Sequence, residues 1–237
     1  MNILLTICAR AGSKGVKNKN LKSLLGKPLI VHTIEQAKRW GRANDIIVST
    51  DSQEIDSIAI EAGASVPFLR PLSLALDHSP KLPVIRHALF ECEKKFEKTY
   101  EVIIDLDPTA PIRQEGDIAN AFRLFIDKQY ASLVSVVKAH KSPYFNMVEE
   151  DKFGNIQLCK IPTETIYRRQ DAPNVYNLNA SIYIYTRDFL VNEDNKTPLS
   201  TSNLGIYVMD ELSAFDIDRE IDFKFIEFLV HERMVSL

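Results

Sequence analysis

Two spacings of apolar residues alternate along this chain. Short, nearly continuous apolar runs at 2–8, 45–50, 64–68, 101–107, 133–137, 180–185 and 205–209 predict strands, most of them covered on both faces. Between them apolar residues recur at helical spacing. Ile30, Ile34 and Ala37 follow Pro28, which suits a first helical turn. Ile55, Ile58, Ala59 and Ala62 follow the capping pair Asp51-Ser52, and Gly63 closes that helix. Val84, Ala88, Cys92 and Phe96 align over 83–96, and Ile118, Ala121, Phe122 and Phe125 follow Asp117, a possible cap. A last helix has Ile221, Phe225, Phe228 and Leu229 in phase. Strand–helix alternation of this kind predicts an α/β fold: three α/β/α layers, Rossmann-like, around a mainly parallel sheet.

The rhythm lapses from 138 to 178. Polar clusters, a Gly154-Asn155 turn and Tyr167-Arg168-Arg169-Gln170 read there as a small β-rich insertion. Residues 188–202, with Asn192-Glu193-Asp194-Asn195, read as an exposed loop. No repeat or linker-like tract divides the chain, so 1–237 is expected to be one domain.

Composition narrows the function classes. Hydrophobic residues make up 45% and charged residues 26%, ordinary for a globular protein, and the formal net charge of −3 points neither to nucleic acid nor to a membrane surface. Three widely spaced cysteines, Cys8, Cys92 and Cys159, have no zinc-ligand spacing and suit reduced thiols in a cytoplasmic protein. Neither a signal peptide nor an apolar run of membrane-spanning length is expected.

Positive charge is concentrated after the first strand. Arg10, Lys14, Lys17 and Lys19 share a loop with Gly12 and Gly15, the composition of an anion cradle. Its spacing is neither that of a P-loop nor that of the dinucleotide fingerprint. The strand at 101–107 ends in Asp105 and Asp107, carboxylates at the sheet edge where α/β proteins bind ligands. Asp216 and Asp218 flank Ile217, so in extended backbone both carboxylates point the same way. Such a pair suits magnesium, while Asp218 also suits the cap of the last helix. His32, His78, His87, His140 and His231 show no ligand spacing.

The opening Ala9-Arg10, Ser13-Lys14-Gly15 and Lys19-Asn20 resembles the start of the acylneuraminate cytidylyltransferases, with seven motif positions in register. Arg70-Pro71 with Leu74, Ala75 and Asp77, then Pro108-Thr109-Ala110-Pro111-Ile112-Arg113, Arg169-Gln170 with Pro173, and Asp216-Ile217-Asp218-Arg219-Glu220-Ile221-Asp222 extend the resemblance over nearly the whole chain. It implies attack of the anomeric hydroxyl of a nine-carbon acidic sugar on the α-phosphate of CTP, releasing pyrophosphate. By the same resemblance Arg10, Lys19 and Asp216 are catalytic. Ala9, Arg10, Gly12, Ser13, Lys14, Lys19, Asn20, Arg70 and Ser79 bind the nucleotide, with Lys81 continuing beneath the triphosphate. Mg2+ falls to Asp216 and Asp218, with Asp216 favoured as direct ligand, and the sugar to Asp107, Phe145, Arg169 and Asn179. By the same resemblance, the insertion at 138–178 implies a homodimer.

Three positions depart from the sialic acid enzymes: Asp107 stands where glutamine is common, Phe145 where some bacterial enzymes have lysine, and Asn177 where arginine is common. The stretch 142–149 looks like the branch that activates N,N'-diacetyllegionaminic acid. The alternatives are CMP-N-acetylneuraminate synthesis and a nucleotide-binding regulatory module without catalysis. Retention of Arg10, Lys19, Asp216 and Asp218 stands against the second. A hexose-1-phosphate nucleotidyltransferase is disfavoured because its Gly-x-Gly-x-x-Arg loop is absent.

Overall fold

The computed structural model describes residues 1–12 and 15–237. In chain order the elements are β1 (Ile3–Cys8), a small hairpin of β2 (Ser23–Leu24) and β3 (Lys27–Pro28), α1 (Leu29–Trp40), β4 (Asp45–Ser49), α2 (Gln53–Glu61) and α3 (Lys81–Phe96). There follow β5 (Val102–Leu106), α4 (Asp117–Lys128), β6 (Ser132–Lys138), the hairpin β7 (Val148–Glu150) and β8 (Ile156–Leu158), β9 (Tyr176–Thr186), α5 (Arg187–Val191), β10 (Leu204–Val208) and α6 (Glu220–His231).

Six strands form one sheet in the order β10-β6-β9-β5-β1-β4. Five run parallel, and β9 runs antiparallel between β5 and β6. Pleating sends alternate residues of each strand to opposite faces. Leu5 and Ile7 of β1 and Ile104 of β5 pack with α1, α2 and α4 through Ile34, Ile55 and Phe122. Leu4 and Ile103 face the other way, against Ile85 and Leu89 of α3 and Phe189 of α5. The three-layer arrangement is thus the one the periodicity predicts.

Several details differ. Residues 64–68 form no strand; only Ser65 bridges to Ile47, because the segment bends away after two hydrogen bonds to β4. Pro28 precedes α1 rather than opening it and closes the small hairpin, an element too short for the apolar pattern to predict. The helix read as 83–96 begins at Lys81. Ser52 caps α2 by accepting from the Ile55 amide, whereas Asp51 accepts from the Ala11 amide and ties the first loop to the end of β4. Gly116, not Asp117, occupies the cap of α4. The polar stretch after β9 contains α5, capped by Thr186 and held by buried Phe189 and Leu190.

The last helix turns a different face inward. Phe223, Ile226 and Leu229 are buried against Val16, Leu24, Leu29 and Ile217, while Ile221, Phe225 and Phe228 lie outside. Two apolar stripes compete on α6, and the one adjoining the first loop is covered. Nor does Asp218 cap this helix: Asp222 accepts from the Asp218 and Arg219 amides, which leaves the Asp218 carboxylate facing the first loop.

Between β6 and β9 the chain makes the small β7–β8 hairpin, as the lapse in rhythm suggested. The paired strands carry Val137 and Lys138 alongside Asn177 and Tyr176, so 176–178 belongs to the central sheet. Among the described residues no helix is long and apolar enough to cross a membrane.

Candidate active site

Parallel strands end together, and the loops leaving their carboxyl ends enclose a cleft. Here a cleft of about 390 Å3 opens beyond β1 and β5 and beside the first turn of α3. Its walls bring together Arg10, Lys19 and Asn20 of the first loop, Arg70 and Ser79 of the segment before α3, Asp107 after β5, and Asp218 before α6. Seven of the residues singled out in the sequence thus converge from separate segments of the chain.

Each is held by local chemistry. Ala9 is buried, and its amide donates to the Ser49 carbonyl across the strand ends. Arg10 pairs with Asp77 at 2.7 Å. The Asn20 amide nitrogen donates to the Arg10 carbonyl at 3.2 Å, and its Oδ1 is buried without a protein partner. Arg70 is buried and donates to both the hydroxyl and the carbonyl of Ser49. The Ser79 hydroxyl accepts from the Leu76 amide and closes the preceding turn. Gly12 has open space where a Cβ would project. Ser13 and Lys14 lie outside the described residues.

Lys19 joins two sides of the cleft: its ammonium donates to the Ile217 carbonyl and lies 3.2 Å from Asp218. Buried Val16 and Ile217 share one apolar cluster, so the first loop and the Asp216–Asp218 segment are packed together beneath their charges. Gly15 lets the two backbones meet, since a Cβ there would sit 2.0 Å from the Asp218 carbonyl oxygen.

Thr109 lies in the Pro108–Arg113 motif, which by itself gives it no site role. Its amide and hydroxyl both donate to Asp107 Oδ1, at 3.1 and 2.9 Å, and its carbonyl accepts from the Ile217 amide at 2.8 Å. Thr109 therefore joins the β5 end to the aspartate segment. The Pro108-Thr109 step at a strand end was the available signal; the contact across the chain was not. Arg113, a motif residue, is buried behind the cleft and donates to the Asp107 and Ser181 carbonyls. Burial lowers its guanidinium to about 10. Cys8 also borders the cleft, but burial pushes its thiol up, which disfavours a nucleophilic thiolate.

The residues present fit a magnesium ion. Asp216 Oδ1 is buried without a partner, and burial, with Asp107 and Asp218 adding repulsion, raises the Asp216 carboxyl above its ordinary value. A cation relieves both the missing partner and the repulsion. Among the described residues no three His, Cys, Asp or Glu side chains form a ready-made cage. Two carboxylates nonetheless meet the need of magnesium, which takes its remaining oxygens from water and phosphates.

Three predicted sugar residues stand apart from this cleft. Arg169 lines a second one, of about 410 Å3, together with Lys138, Lys141 and Ser142. Phe145 lies beside it, half-buried, its amide donating to the Ser142 carbonyl. Asn179 is buried within the fold: its Oδ1 accepts from Ser135 Oγ at 2.6 Å and its nitrogen donates to the Ser213 carbonyl at 3.0 Å. Its amide is committed to holding the irregular stretch of β9 where the register with β6 slips.

A cationic strand–loop facing aspartates across the carboxyl edge of such a sheet defines the class of nucleotidyltransferases. The solved CMP:2-keto-3-deoxy-manno-octonic acid synthetase in complex with CTP shares this fold, at a TM-score of 0.71 and 16% identity over 98% of this chain and 100% of that one. A family model described as cytidylyltransferase matches residues 4–236, and the chain belongs to that family. It is 44% identical over 234 residues to the CMP-N,N'-diacetyllegionaminic acid synthase of Campylobacter jejuni, covering 99% of this chain and 97% of the relative. The Legionella pneumophila protein of the same description is 33% identical over the full length of both chains. The N-acylneuraminate cytidylyltransferase of Escherichia coli is 31% identical over 94% of this chain, which spans 50% of that relative.

Proposed function

We propose that the protein couples CTP to N,N'-diacetyllegionaminic acid, forming the CMP-sugar and pyrophosphate. The observation that carries this reading is the convergence of Arg10, Lys19, Asn20, Arg70 and Asp218 on one cleft, with Asp216 Oδ1 buried two residues before Asp218, in a chain 44% identical end to end to a synthase of that description. The higher identity to that protein than to the N-acylneuraminate cytidylyltransferase, 44% against 31%, supports the choice of sugar.

The residues suggest a division of labour. Arg10, Lys19 and the amides of the first loop bind the triphosphate, with Ser13 and Lys14 assigned there by motif. Asn20 Oδ1, buried and unpartnered, suits an N–H donor on the nucleotide. Asp216 and Asp218 hold magnesium, which when bound offsets negative charge on the α-phosphate. The sugar's anomeric oxygen attacks the α-phosphorus, the bond from that phosphorus to the bridging oxygen breaks, pyrophosphate leaves and the hydroxyl proton is released. Such chemistry depends on positioning and electrostatics, which Lys19 supplies beside Asp218.

The sugar meets Asp107 on the β5 side, while Arg169 and Phe145 belong to the insertion. We assign the insertion to a homodimer contact that brings the second cleft of one protomer to the first cleft of its partner. Exposed Phe153, Ile156, Ile161 and Tyr167 support that contact. The charged residues of the second cleft, Lys138, Lys141 and Arg169, are all cationic and suit an acidic sugar.

The test is pyrophosphate release with CTP and Mg2+, comparing legionaminate, N-acetylneuraminate, pseudaminate and 2-keto-3-deoxy-octonate. Preference for legionaminate is expected. Preference for N-acetylneuraminate replaces the sugar and keeps the mechanism; CTP binding without release with any acid returns the regulatory module.

A further inference from the structure

Lys81 is a cation in the wrong place for its helix. It opens α3, where the helix dipole disfavours positive charge, and no acidic residue lies in that first turn. The reason lies across the cleft. Its ammonium is 2.9 Å from Asp105 Oδ2 and 3.1 Å from Asp107 Oδ2, and its third side faces the Tyr183 ring, with the centroid 4.3 Å away. An ammonium has three protons. Two carboxylates and a ring face engage all three, so Lys81 has none left for the triphosphate beneath which the sequence set it.

The two carboxylates differ. Asp105 is 0% exposed, accepts from Thr6 Oγ1 at 2.7 Å and has no route to a ligand. Asp107 borders the cleft, with 22% of its side chain exposed. Thr109 holds its Oδ1 with two donors and Lys81 holds its Oδ2, while Arg113 grips its backbone carbonyl. Burial works against the charge on Lys81; Asp105 and Asp107 outweigh it and hold the ammonium well above its usual value.

We propose that Lys81 is a positioning residue that locks Asp107 as a fixed acceptor facing the sugar side of the cleft, so that the site selects a substrate presenting an O–H or N–H donor to it. An ionised carboxylate cannot donate, and with three donors on Asp107 its remaining lone pair is already aimed. Lys81 also offsets a negative charge that would repel an acidic sugar. The inference rests on the reading of the cleft as the CTP and sugar site.

The test separates the two substrates. Lys81→Met is compared with Lys81→Met/Asp105→Asn, which returns the cluster to its wild-type net charge if the single variant folds poorly. The Michaelis constant for the sugar acid is expected to rise about tenfold or more while that for CTP stays within about twofold. Adding Asp107→Asn to either variant is expected to cost little more, because the two residues act as a unit. A tenfold rise in the CTP constant with the sugar constant unchanged, or losses that multiply in the combined variant, overturns the proposal. An independent readout needs no turnover: by NMR, the Lys81 ammonium protons are expected to exchange slowly in the wild-type protein and fast in Asp107→Asn. If the wild type turns over none of the sugars yet shows that change, the functional reading fails and the positioning role stands. If exchange ignores Asp107→Asn, the positioning role fails whatever the substrate.

Discussion

A Cβ on Gly15 would meet the backbone of Asp218, not a side chain able to rotate away. Gly15→Ala is therefore expected to part the first loop from the aspartate segment, separating Lys19 from Asp218. A displacement of about 1 Å at a reacting centre costs on the order of 100-fold in rate. The expected outcome is a fall of that size in kcat/KM for pyrophosphate release, with the thermal midpoint lowered as well, because Val16 and Ile217 lie in one apolar cluster beneath the two segments. Near wild-type kinetics would show that the loop shifts at no cost. The same logic separates residues of similar type: Lys19 reaches across to the aspartates, while Lys81 is committed to Asp105 and Asp107.

At the scale of elements, α6 matters for what its first turn leaves free. Asp222 accepts from the amides of Asp218 and Arg219, so Asp218 need not cap the helix and its carboxylate can face Lys19. Asp222→Ala is expected to cost about 1 kcal/mol, lowering the thermal midpoint by about 2–4 °C for a chain of this size. Turnover is expected to fall as well, since Asp218 is no longer fixed. The pH dependence has a definite sign. Burial tends to raise the Asp222 carboxyl, but the two amides and Arg219 outweigh it and hold it below its ordinary 3.8. Its contribution is thus fully present above that ordinary value and is lost as pH falls through the lowered folded value. Denaturant titrations should show a shallower acid limb for Asp222→Ala; parallel limbs would remove Asp222 as the cap.

At the scale of the molecule, the insertion carries several apolar residues that lack cover. Phe153 is 78% and Ile161 79% exposed, and Tyr167 lies outside as well. For the proposed dimer, sedimentation should give twice the chain mass. Ile161→Glu with Tyr167→Glu should shift the protein toward monomer and reduce sugar turnover more than CTP binding, because Arg169 then no longer reaches the partner's cleft. A wild-type monomer with full activity would overturn the dimer and its shared site.

Along a single stretch, residue order sets what depends on near neighbours: which runs are strands, save 64–68, which faces of α1 to α4 are apolar, and that cations gather after β1. Those features follow from pleat and helix periods and from short motifs, so Arg10, Lys19, Asp107 and Asp218 were legible before any fold was known. The tertiary structure decided whatever depends on partners far along the chain. Nothing local tells that β9 runs against its neighbours, that α6 buries Phe223 rather than Phe225, or that the Asn179 amide is spent on Ser135 and Ser213. The same holds for Lys81. Its charge is written in the sequence, but its role depends on Asp105 and Asp107, because an ammonium acts on whichever acceptors folding brings within about 3 Å.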